Sequence, residues 1–162
     1  TDRVEKFIPP QKGRKHILRI IRELLDFKAQ STLTNLDEPL RFLTNAIKKR
    51  CTAFIISDFI APGFEEALRI ASNKHDIVSI KVYDKFEESL PNLGFIKVAD
   101  AETGEAKWID TTLASSRRNY STWWNNHLQE IKTTFKKCSV DSAYINTGED
   151  YVKPLIKLFE NR

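Results

Sequence analysis

The stretch AFIISDF, residues 53–59, runs through apolar residues, meets Ser57 and then ends its run on a carboxylate, Asp58. With Cys51 and Thr52 in front it reads as a strand near 51–57. A strand so nearly continuous in apolar residues is expected to be buried on both faces, inside a parallel sheet with helices on each side. No basic residue stands beside Asp58 in the sequence. Two readings follow. A carboxylate at a strand's carboxyl tip can stay half solvated and accept N–H bonds from the next loop. It can also serve a hard cation such as Mg²⁺, which takes oxygen from carboxylates, hydroxyls and water; the loop STLT, residues 31–34, offers hydroxyls.

Downstream, APGFEEALRIASNKH carries Phe64, Ala67, Leu68 and Ala71 on one helical face, and DIVSIKVYD is the next strand, near 76–83. Strand, helix and strand at this spacing form a βαβ unit. GFIKVADAETGEAKWID reads as a β-hairpin near 94–110, with Gly104 available for positive φ and with Asp100 and Glu102 as turn residues rather than metal ligands. A long helix over 113–137 has Tyr120, Trp124, Leu128, Ile131 and Phe135 as its stripe, with one ring of the Trp123–Trp124 pair at the stripe's edge and His127 in a structural role. SVDSAYINT is the last strand, near 140–146, and GEDYVKPLIKLFENR the last helix, with Val152, Leu155, Ile156 and Phe159 inward.

Upstream, residues 1–11 read as the end of a strand stopped by Pro9 and Pro10. A helix over 12–27 has Ile17, Leu18, Ile21, Leu24 and Leu25 on one face and Lys12, Arg14, Lys15, Arg19 and Arg22 on the other. The next helix starts near Leu36, capped by Thr34 or Asn35, tolerates Pro39 in its first turn and closes on Lys48, Lys49 and Arg50.

The three strands end in SDF, YDK and NTGED. In open parallel sheets ligands gather at the carboxyl ends of strands, so Asp58, Asp84 and Asn146/Thr147 share one candidate edge. Enzyme signatures are absent: no G-x-S-x-G, no phosphate-binding loop and no G-x-G-x-x-G occurs.

The chain has 162 residues, 41% hydrophobic and 30% charged, which suits one core and one domain. A net charge of +4 gives nucleic acid only a weak claim. Cys51 and Cys138 make neither a disulfide framework nor a zinc spacing, and a reducing compartment fits. The chain lacks methionine and opens in mid-pattern, so a piece of a longer protein is expected, with cytoplasmic location and room for a membrane anchor further upstream.

TLTNLDEPLRFL followed by KKRCTAFIISDF resembles the middle of a von Willebrand factor A-like domain, in which a T-[ND]-[LI]-x-x-[AP]-L segment opens a helix and an apolar strand ends I-[ST]-D. More specifically, DRVEKFIPPQKGRKHILRIIREL, LRIASNKHDIVSIKVYD, DAETGEAKWIDT and GEDYVKPLIKLF resemble DUF family 58, bacterial proteins often associated with MoxR-type AAA+ ATPases. The resemblance implies a three-layer, Rossmann-like α/β fold. It implies a metal-ion-dependent adhesion site with Thr34 and Asp58 as ligands of Mg²⁺. The central D-x-S-x-S loop of that site occurs nowhere in the sequence. The expected unit over 1–162 is thus a single truncated domain lacking its first strand and that loop, its metal site incomplete and empty.

The expected function is a non-enzymatic protein-interaction domain, partner of a MoxR-type ATPase or its client in chaperone-like assembly. The alternatives are a Mg²⁺-dependent nuclease or phosphotransferase using Asp58 and Asp84, and a nucleic-acid-binding module using residues 12–27. The missing first strand implies an exposed apolar edge at 52–57, where a homodimer could form.

Overall fold

In the computed structural model, which describes residues 2–99, 104–160 and 162, three parallel strands form one sheet in the order β1-β2-β5. These are β1 (Thr52–Ser57), β2 (Asp76–Tyr83) and β5 (Asp141–Asn146). Thr52 pairs with Asp76 and Ser57 with Lys81; Val78 pairs with Asp141 and Tyr83 with Asn146. The central strand is the one buried on both faces, from Ile77 to Lys81, as parallel packing requires.

Helix α1 spans Arg14–Asp26 and α2 spans Asp37–Ala46. Asn35, not Thr34, caps α2: its Oδ1 accepts the backbone N–H groups of Asp37 at 2.9 Å and Glu38 at 3.3 Å. Helix α3 (Glu65–Lys74) connects β1 to β2. The path from β2 to β5 is longer. It runs through the short α4 (Lys85–Glu88), the antiparallel hairpin β3 (Phe95–Ala99) and β4 (Ala106–Asp110), and the long α5 (Ala114–Lys137). Helix α6 (Val152–Glu160) follows β5. Gly104 has φ 72, as the hairpin reading asks; Asp100 and Glu102 lie outside the described residues. Thr111 locks the hairpin base: wholly buried, it donates to the Gly94 carbonyl at 2.7 Å and accepts from Leu93 N–H at 2.9 Å.

The main core lies on one side of the sheet. Leu36 and Leu40, then Phe64, Ala67, Leu68 and Ala71, then Ile131 and Phe135 pack over Ile77, with Ala53 and Ile55 at the margin. These are residues of α2, α3 and α5 and their approaches. The other side is thinner: Val78 and Ala143 pack against Leu155 and Leu158 of α6. Helices thus flank both faces. At the amino ends of β2 and β5, Arg162 donates to Asp76 and, at 2.7 Å, to Asp141.

Several expectations are corrected. Strand β1 is not buried on both faces: Phe54 is 48% and Ile56 68% exposed. Helix α6 covers only part of that side, with Phe159 reaching Phe54 at 6.1 Å between ring centroids, while Val152 and Ile156 stay exposed. The apolar stripe of α1 is also open, with Leu24 75% and Leu25 81% exposed; His16 is its buried residue. Residues 2–11 form no strand, and Lys48, Lys49 and Arg50 lie between α2 and β1 outside any regular element, with a bend at Lys49. In α1, α6 and β1 the apolar periodicity is present, but among the described residues it is only partly covered.

Candidate functional site

Strand β1 delivers Asp58 to the carboxyl edge of the sheet, where the chain turns sharply. Asp58 Oδ1 accepts the Ile60 N–H at 3.1 Å and lies 3.3 Å from the donating Ser57 hydroxyl, which itself accepts the Phe59 N–H at 3.0 Å. These bonds fall on one carboxylate oxygen; among the described residues Oδ2 accepts none, and the side chain is exposed. The next residue anchors the turn. Phe59 has φ 55, a left-handed conformation that bulky side chains rarely adopt. It holds this conformation because its ring is 1% exposed and packed on Phe135, 5.0 Å away, and on Phe64, 5.8 Å away.

The basic partner that the sequence does not place beside Asp58 comes from the neighbouring strand. Lys81, opposite Ser57 in register, is wholly buried; its ammonium group donates to the Asp58 backbone carbonyl and lies 5.1 Å from the centre of the Trp124 ring. Burial pushes the Lys81 pKa below its ordinary value, while the charges of Asp58 and Glu87 pull it back up. Lys81 went unrecognised in the sequence because it sits in an apolar run. Its signal was the alternation Ser79, Lys81 within DIVSIKVYD.

Asp58 and Thr34 line one cavity of about 820 Å³. Its walls come from the N-terminal segment (Val4, Ile8), α1 (Ile20, Leu24), the start of α2 (Pro39), β1 (Ile56) and β2 (Val82). Thr34 is left to this cavity because Asn35 takes the capping role. The other strand tips are committed elsewhere. Asp84 caps α4, with Oδ1 accepting the Phe86 N–H at 2.9 Å, and its Oδ2 accepts the Thr147 hydroxyl at 3.0 Å. Asn146 Oδ1 accepts the Gly148 N–H at 2.9 Å. Asp84, Asn146 and Thr147 do not line the cavity with Asp58.

Hydroxyl and carboxylate oxygens suit Mg²⁺ in kind. In number they fall short of a closed site: among the described residues no group of three or more His, Cys, Asp or Glu could hold a metal ion. Among those residues, too, no helix is long and apolar enough to cross a membrane.

Fold and site define an α/β domain with a parallel sheet and a cavity at its strand tips. The chain belongs to the family described as protein of unknown function DUF58, whose model matches residues 1–130. It is 26% identical over 116 residues to Uncharacterized protein MAV169 of Mycobacterium avium, covering 71% of this chain and 68% of that protein. It is 26% identical over 161 residues to Uncharacterized protein Mb1516 of Mycobacterium bovis, covering 96% of this chain and 50% of that protein. The chain therefore spans half the length of the latter relative. No solved structure matches the chain significantly.

Proposed function

We propose that this chain is a non-enzymatic protein-interaction domain of the von Willebrand factor A-like class. The cavity at the strand tips is where it grips its partner. Thr34 and Asp58 would hold a Mg²⁺ ion there, and an acidic side chain of the partner would complete the oxygen set. Mg²⁺ is commonly held by one or two carboxylates with water and a bound group filling the rest. The observation that supports this reading is that Thr34 and Asp58, from separate segments of the chain, both line one cavity. On the resemblance to MoxR-associated proteins, the partner is a MoxR-type AAA+ ATPase or its client, and the setting is cytoplasmic. Metal-assisted hydrolysis by Asp58 with Asp84 has less support, because Asp84 is spent on a helix cap and on Thr147.

The test is a titration of the ¹⁵N-labelled chain with Mn²⁺ as a paramagnetic stand-in for Mg²⁺. Broadening should concentrate at residues 34–36 and 57–60, be reversed by excess Mg²⁺ and disappear in Asp58→Ala. A purified MoxR-type ATPase should then bind the wild type and not the variant. Broadening spread over the acidic surface and indifferent to Asp58→Ala would defeat the cation reading.

A further inference from the structure

We propose that the groove between the β1–α3 loop and α5 receives an arginine side chain presented by a protein partner. The groove, of about 340 Å³, has residues 59–65 as one wall and α5 as the other. On α5 the lining residues Trp123, His127 and Glu130 follow at i, i+4 and i+7, so they share one helical face. The two walls hold each other in place: the buried Phe59 ring lies 5.0 Å from Phe135 of α5 and 5.8 Å from Phe64 of the loop. No residue of Thr52–Ser57 lines the groove, so the unpaired side of β1 plays no part in it.

Charge identifies the occupant. The chain carries 26 Lys and Arg against 22 Asp and Glu, yet no lysine or arginine lines this groove, whereas Glu65 and Glu130 do. Glu65 stands 3.6 Å from Lys137; Glu130 is exposed and has no ion pair among the described residues. His127 adds no positive charge near neutral pH, because burial first, and Lys81 second, lower its pKa. Its Nε2 has no partner among the described residues. Trp123 stacks flat on His127, ring centroids 5.7 Å apart, and is still 47% exposed. An open indole beside a carboxylate suits guanidinium better than ammonium: the planar group lies against the ring while its N–H fork meets the carboxylate. That a protein supplies this group rests on the protein-interaction reading above; the chemistry of the groove needs no metal ion at Asp58.

The experiment is a nuclear magnetic resonance titration of the ¹⁵N-labelled 162-residue chain in EDTA, so that this inference and the cation reading fail separately. The probe is the capped peptide acetyl-Gly-Arg-Gly-amide. It should shift the Trp123 indole N–H signal and the backbone signals of Ile60, Gly63 and Glu130. The same peptide with citrulline in place of arginine has equal shape and no charge, and should shift them little. Glu130→Gln and Trp123→Leu should each weaken the arginine peptide by about two- to fivefold, the worth of one exposed ion pair or one cation–π contact. Both residues are exposed, so the circular dichroism spectrum should not change in either variant. Ethylguanidine, a free guanidinium, should bind no more tightly than the peptide. Equal shifts from the citrulline peptide, shifts centred away from the groove, or an affinity indifferent to Glu130→Gln each overturn the proposal. So does ethylguanidine binding about tenfold more tightly than the peptide, which would mark a small-molecule site in place of a partner's side chain.

Discussion

Lys81, buried on the central strand, donates its ammonium hydrogen to the backbone carbonyl of Asp58 at the tip of the next strand. The bond reaches the main chain, so it fixes where the carboxylate stands while leaving the carboxylate itself exposed. Together with the left-handed, ring-anchored Phe59 it makes the 58–60 turn a rigid mount.

Replacing Lys81 by Met keeps length and removes charge. Burial lowers the lysine's pKa in the folded chain. Between that value and the ordinary one of about 10.4, the unfolded chain binds more protons than the native chain, so stability rises with pH. The wild type should therefore gain on Lys81→Met as pH is raised from neutral toward 10. Urea unfolding at several pH values measures the difference; a gap constant with pH would show that the ammonium is not desolvated.

Phe59 offers a comparison of two truncations. Losing the buried ring should cost about 3–5 kcal/mol in either Phe59→Ala or Phe59→Gly. The left-handed backbone costs an L-residue about 1–2 kcal/mol and glycine almost nothing. Phe59→Gly should accordingly be the more stable of the pair, by about 1 kcal/mol, reversing the usual order in regular structure. Chemical denaturation decides it, and an alanine variant that is the more stable would place the native backbone elsewhere.

Strands, the hairpin and the helix between β1 and β2 were legible because their residues alternate or recur at the right period, and Phe64, Ala67, Leu68 and Ala71 are buried as that period requires. The open stripes of α1, α6 and β1 were not. Periodicity states which residues share a face; it does not state that anything lies opposite. Asp58 is readable as a carboxylate at a strand's carboxyl tip and Thr34 enters through the family resemblance, whereas the cavity walls from residues 3–8 carry no local pattern.

His75 is buried, its Nδ1 lies 3.5 Å from Cys51 Sγ, and Nε2 has no partner among the described residues. Burial first, and Lys74 second, lower its pKa. The native chain resists a proton that the unfolded chain accepts below about pH 6.5, so stability falls as pH drops through that value, by at most about 1.4 kcal/mol per pH unit for one histidine. His127 shifts the same way, chiefly by burial and then by Lys81. His75→Leu should lose less stability than the wild type between pH 7.5 and 5.5. Equal losses would mean that His75 takes up its proton without penalty.

The Arg162 clamp on Asp76 and Asp141 satisfies carboxylates at the amino ends of β2 and β5 with charge from the protein itself. At the opposite end of the sheet, Asp58 keeps one oxygen uncommitted among the described residues. The strand axis therefore has one end closed by an ion-pair clamp and one end that carries an exposed carboxylate. Surface substitutions along it should sort by latitude: those at the clamp change how firmly the chain is folded, and those at the far tip, on the proposed reading, change what it can hold.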